Sequence, residues 1–100
     1  MNLELEHSLL GTIERLQPEH TYVEVRVRHA DIASDVGYGT RISELINFLN
    51  HELNLRGCAH RVVPDTWDVK WDSVHHLRLR LRLRDAGLGD LMGLPVRAEQ

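Results

Sequence analysis

Four arginines, Arg78, Arg80, Arg82 and Arg84, alternate with Leu77, Leu79, Leu81 and Leu83 in an unbroken run. A guanidinium donates two parallel hydrogen bonds to a carboxylate or a phosphate, so a row of them is a surface that recognises anions. The spacing decides whether such a row exists. Coiled into a helix, the run scatters Leu and Arg around the whole cylinder; as a strand it sorts them completely, so the period-two reading wins. Neighbouring guanidinium groups then stand ~7 Å apart on one face. Their mutual repulsion in water is ~0.6 kcal/mol per pair, and salt reduces it further. The row therefore tolerates its own charge without a ligand, and its charges also deter edge-to-edge aggregation.

A second run, 20–29, alternates in the same way: Tyr22, Glu24, Arg26 and Arg28 point one way and Val23, Val25 and Val27 the other. Arg26 and Arg28 can extend the row, with Glu24 as a partial counterweight. Three readings of that face compete: a solvated surface, a contact with an acidic protein or a second copy of the chain, and a nucleic-acid interface. The whole chain carries a formal charge of −3, and Tyr22 is the only obvious aromatic for base stacking. Protein contact therefore ranks ahead of nucleic acid. Trp67 and Trp71 are read first as packing residues; exposed together beside Asp68 and Asp72, they become partner-binding residues as well.

The remaining reactive side chains do not converge. Pro64-Asp65 followed by Asp68-Val69-Lys70 superficially resembles the PD…(D/E)xK nucleases, whose two carboxylates bind a divalent metal while the lysine assists the attacking water. In those enzymes the two parts of the motif lie on neighbouring strands, well apart in sequence. Here only Thr66 and Trp67 separate Asp65 from Asp68, so membership does not follow. Cys58, His60, His75 and His76 lack zinc-ligand spacing, and residues 75 and 76 of a strand point to opposite faces. Cys58 beside His60 or His51 has no orienting third group. Gly37-Tyr38-Gly39-Thr40 leads into a helix but lacks the lysine and the length of a phosphate loop. No catalytic residue, cofactor or metal is expected.

The elements that must position these residues follow from hydrophobic period. Leu5, Leu9, Ile13 and Leu16 share one face of a helix over residues 3–16, with Asn2 as cap and Pro18 beyond its end. A loop is expected over 30–39. Ile42, Leu45, Ile46, Leu49 and Leu53 form the stripe of a helix over 41–55, with Thr40 as N-cap and Gly57 as stop. Asn47, Asn50, His51 and Asn54 lie off that stripe. Residues 58–63 read as a short strand ended by Pro64. Residues 65–73 fit either a strand or a helical turn and a half; strand or extended loop is preferred, with a hairpin near Asp72–Ser73. Residues 77–84 form the long strand, whose four leucines contribute roughly 6–12 kcal/mol gross on burial. A turn over 87–93 and a frayed tail over 95–100 complete the chain.

One hundred residues make one domain with one modest core. The expected architecture is α+β: a three- to four-stranded, mostly antiparallel sheet with two helices packed on one face. A single cysteine allows no intramolecular disulfide, and no apolar run approaches the ~18 residues of a membrane span. The acidic start does not read as a secretory leader. A cytoplasmic, bacterial or phage binding protein is the expectation: a regulator, adaptor or inhibitor acting on a protein partner or on itself as a homodimer, without enzymatic activity and without a membrane.

Overall fold

A computed structural model of the chain describes residues 3–33, 35 and 37–87. Helix α1 (Leu3–Glu14) buries Leu5, Leu9 and Ile13, three of the four residues of the predicted stripe; Leu16 lies beyond its end, partly buried against the core. It ends two residues earlier than the spacing implies, in a turn closed by bonds from Arg15 N–H to Thr12 O and from Leu16 N–H to Ile13 O. The expected cap, Asn2, the turn beyond residue 87 and the tail lie outside the described residues. Strand β1 (Tyr22–Arg28) buries its three valines and exposes the four residues that alternate with them.

The expected loop after β1 is partly helical. His29–Ile32 form one short turn, α2, because Ile32 is drawn fully into the core. Helix α3 (Tyr38–Leu55) starts three residues before the expected position, so Thr40 lies inside it and Gly37 is the N-cap. All five residues of its stripe are buried. Its end is a Schellman motif: Gly57, at φ 64°, donates to Asn54 O, and Cys58 donates to Leu53 O. Only a residue that accepts positive φ without strain closes the helix this way.

Strands β2 (His60–Val62), β3 (Asp68–Trp71) and β4 (His76–Asp85) complete an antiparallel four-stranded sheet. β4 is central. β1 pairs along one side of it, while β2 and β3 share the other. From Val62 to Asp68 the edge chain advances six residues while β4 runs only three, from Leu83 to Arg80. The surplus forms a bulge at Pro64-Asp65, where Asp65 takes a φ of 66°. β3 is thus a strand, the preferred of the two readings. It joins β4 through a hairpin in which Asp72 and Ser73 N–H both donate to His76 O.

Leu77, Leu79, Leu81 and Leu83 are buried, together with the valines of β1, under α1 and α3. α1 lies on β1, α3 lies on β2, and the two helices touch. The architecture is α+β with the helices on one face of an antiparallel sheet. The sheet's other face carries the arginines.

Candidate binding face

Cross-strand register builds the face. Tyr22 stands opposite Arg82, Glu24 opposite Arg80, Arg26 opposite Arg78 and Arg28 opposite His76. On the other flank of β4, Asp68 faces Arg80 and Lys70 faces Arg78. The two long strands therefore merge their arginines into one surface, as their shared period implies. Arg26, Arg28, Arg78, Arg80, Arg82 and Arg84 are all exposed on it.

The acids are not spread evenly over this surface. Asp72, at the hairpin, bonds Arg26 Nε at 2.7 Å and lies 3.5 Å from Arg78, which also approaches Glu24 at 3.6 Å. Arg28 donates twice to Asp31, at 3.0 and 3.1 Å, and lies 3.2 Å from Glu4. The hydrogen bond to Asp31, then the charges of Asp31 and Glu4, raise the Arg28 pKa above its ordinary value. Lys70 is 3.9 Å from Asp68. One end of the row is thus answered by its own chain.

At the other end the balance changes. The Arg80 guanidinium lies 3.8 Å from the centroid of the Tyr22 ring, a cation–π contact. Among the described residues, no carboxylate comes within 4.0 Å of Arg80 or Arg82. Both line a shallow depression of ≈ 330 Å³ with Thr21, Tyr22, Thr66 and Asp68. Arg84 bonds the Asp85 carbonyl at 3.0 Å. The cationic surplus is therefore greatest at Arg82, opposite Tyr22, while Arg80 stands beside it between Glu24 and Asp68 without a direct ion pair among the described residues.

The tryptophans fall elsewhere. Trp67 is half-buried against the core. Trp71 pairs with Leu77, so it projects from the helix side of the sheet, opposite to the arginines. It is 61% exposed and stacks on His29 at 5.2 Å, which in turn meets Tyr38 edge-on at 5.8 Å. The structure does not bring Trp67 or Trp71 onto the arginine face, nor expose them together.

Three contributors are missed by pattern reading. Arg61 is a buried arginine with no carboxylate partner among the described residues. It bonds Cys58 O, His60 O and Asn54 Oδ1. His60 is buried with Nε2 donating to Gln17 O at 2.9 Å, and its Nδ1 has no partner among the described residues. Asn50 of α3 receives the Val62 N–H at 2.7 Å and donates to the Val62 carbonyl at 3.1 Å. That amide pairs with the outer edge of β2 as another strand would. In sequence, only its place beside the apolar stripe hinted at it.

Asp65 and Asp68 stand at the bulge and on β3 respectively, both exposed. Among the described residues no three His, Cys, Asp or Glu side chains are grouped to hold a metal ion. No helix among them is long and apolar enough to cross a membrane. The chain matches no protein-family model, no curated protein and no solved structure.

Proposed function

We propose that this is a non-enzymatic binding protein that docks an acidic protein partner on its open sheet face, centred on Tyr22, Arg80 and Arg82. It would act as a regulator, adaptor or inhibitor. The observation that supports this reading is a pair of guanidinium groups with no carboxylate within 4.0 Å among the described residues, rimming a depression on the face the helices leave bare. Each offers a planar fork that fits a side-chain carboxylate.

Two features favour a protein over a nucleic acid. Asp68 sits on the same rim, and its charge opposes a continuous phosphate chain while tolerating isolated carboxylates. Arg80 already covers the Tyr22 ring, so a base must displace it to stack there.

The test is the double variant Arg80→Glu with Arg82→Glu, compared with the parent chain for retention of acidic protein partners. Interfacial arginines of this kind contribute on the order of 2 kcal/mol each, so affinity should fall at least 100-fold. A folded double variant that keeps its partner refutes the reading. A nucleic-acid binder behaves differently: its affinity for DNA or RNA falls steeply and linearly on a logarithmic salt scale.

A further inference from the structure

β1 is an edge strand, and its backbone parity shows what the edge presents. The ladder to β4 continues at both ends: Leu83 N–H donates to Thr21 O, and His29 N–H donates to His75 O. Bonding pairs alternate along an antiparallel ladder. Residues 21, 23, 25, 27 and 29 therefore bond to β4. The N–H and C=O groups of Tyr22, Glu24, Arg26 and Arg28 point outward, and no hydrogen bond to them is made by any described residue. The opposite border of the sheet differs. There Asn50 occupies the outer edge of β2, and β3 is only four residues long.

From this edge we infer that β1 pairs antiparallel with β1 of a second copy, about a two-fold axis through Val25. The side chains select that register. Outward backbone groups must meet outward backbone groups, so only slips of two residues compete. With Val25 opposite Val25, Glu24 faces Arg26 of the second copy and Tyr22 faces Arg28, each twice by symmetry. A slip one way sets Glu24 against Glu24; a slip the other way sets Arg26 against Arg26. Like charges directly opposite destabilise a sheet, and opposite charges support it.

The helix layer fits the same axis. One groove beside β1 holds Glu4 and Ser8 with Arg26 and Arg28; a second holds Thr12 and Arg15 with Tyr22 and Glu24. The middle of α1 thus lies level with Val25. The axis runs α1 antiparallel to its copy, with small side chains (Ser8 and Thr12) meeting at the centre. Glu4 is carried toward Arg15 of the second copy. The contact closes as a dimer, because it consumes the one long open edge among the described residues. It shares Tyr22 with the docking face proposed above but uses neither Arg80 nor Arg82.

The experiment is sedimentation velocity on the full chain and two variants across a concentration series, with circular dichroism to verify folding. The parent chain should reach twice its 11.5 kDa mass. Glu24→Arg sets arginine against arginine at both contacts, and Arg26→Glu sets glutamate against glutamate. Each variant alone should be monomeric, and the two mixed should form a one-to-one dimer. Amide exchange on the parent supplies a readout that needs no variant. Protection at Glu24 and Arg26 N–H should rise with concentration, while Val23, Val25 and Val27 are protected throughout. A parent chain monomeric at all concentrations, or two variants that each still dimerise alone, overturns the inference. So does concentration-dependent protection confined to other amides. The Arg80→Glu, Arg82→Glu chain should still dimerise, so loss of partner binding and loss of self-pairing are separable.

Discussion

Asn47 and Asn50 lie three residues apart on α3, and replacing each by alanine should move stability in opposite directions. Asn47 is exposed, so its replacement changes little beyond helix propensity. Alanine gains about 0.5 kcal/mol over asparagine there. Asn50 gains the same increment but loses both bonds to Val62, at 2.7 and 3.1 Å. Each bond contributes about 0.5–1.5 kcal/mol net, and the loss strands a strand-edge donor and acceptor that are partly buried. The sum is a loss of about 0.5–2.5 kcal/mol for Asn50→Ala against a gain of about 0.5 kcal/mol for Asn47→Ala.

Urea unfolding measures both differences, provided the denaturant slopes agree among the three chains. Thermal unfolding gives a second reading, at roughly 4–8 °C per kcal/mol for a domain of this size. Asn50→Asp sharpens the test. It keeps an acceptor for Val62 N–H but sets a carboxylate oxygen against the Val62 carbonyl, so it should not restore the parent's stability. If Asn50→Ala proves as stable as Asn47→Ala, the amide does not hold β2 and the reasoning fails.

Two further substitutions probe the scaffold. Leu79→Ala removes a fully buried side chain at the middle of the central strand. It should cost about 3–5 kcal/mol in urea unfolding, whereas a loss below about 1.5 kcal/mol would show a core able to collapse around the gap. Gly57→Ala forces a side chain into φ 64° at the end of α3. Nothing lies within 4 Å of the added carbon, so the expected loss of about 1 kcal/mol is conformational. An unchanged midpoint would mean that the helix end relaxes to another closure.

Period alone carried much of the architecture. β4, β1 and the stripes of α1 and α3 were legible because each separates apolar from polar residues at one spacing only. The merged arginine face could be read from two strands of like pattern, but the register of β1 on β4 could not, because a slip of two residues leaves both faces unchanged. What pattern could not supply were contacts made across long sequence distances. Asp72 neutralises Arg26 from forty-six positions away, and only the hairpin puts it there. Ile32 pulled a one-turn helix out of what reads as loop, since one apolar residue carries no period. Thr40 resembled an N-cap, yet the helix reached back to Tyr38 and buried that tyrosine partly against the core. The buried Arg61 broke the rule that arginine marks the surface; its neighbours offer carbonyls, which composition does not reveal.

The two long strands differ in one respect that separates a face from an edge. β4 presents arginine at four outward positions in succession, after His76, so an antiparallel copy of it that overlaps most of the strand would oppose arginine to arginine. That strand is placed at the centre of the sheet, where both of its edges are already occupied. Its charges are then available only perpendicular to the sheet, where they suit an anionic partner of different sequence. β1 mixes Glu24 with Arg26 and Arg28, a pattern that complements its own reversal, and it is the strand left at the border. Exchanging the two patterns would produce a sheet whose edge repels its copy and whose centre carries little surplus charge. A chain with Glu24→Arg imposes half of that exchange: its β1 carries the uniform sign of β4, and self-pairing should disappear while the docking surface grows more cationic.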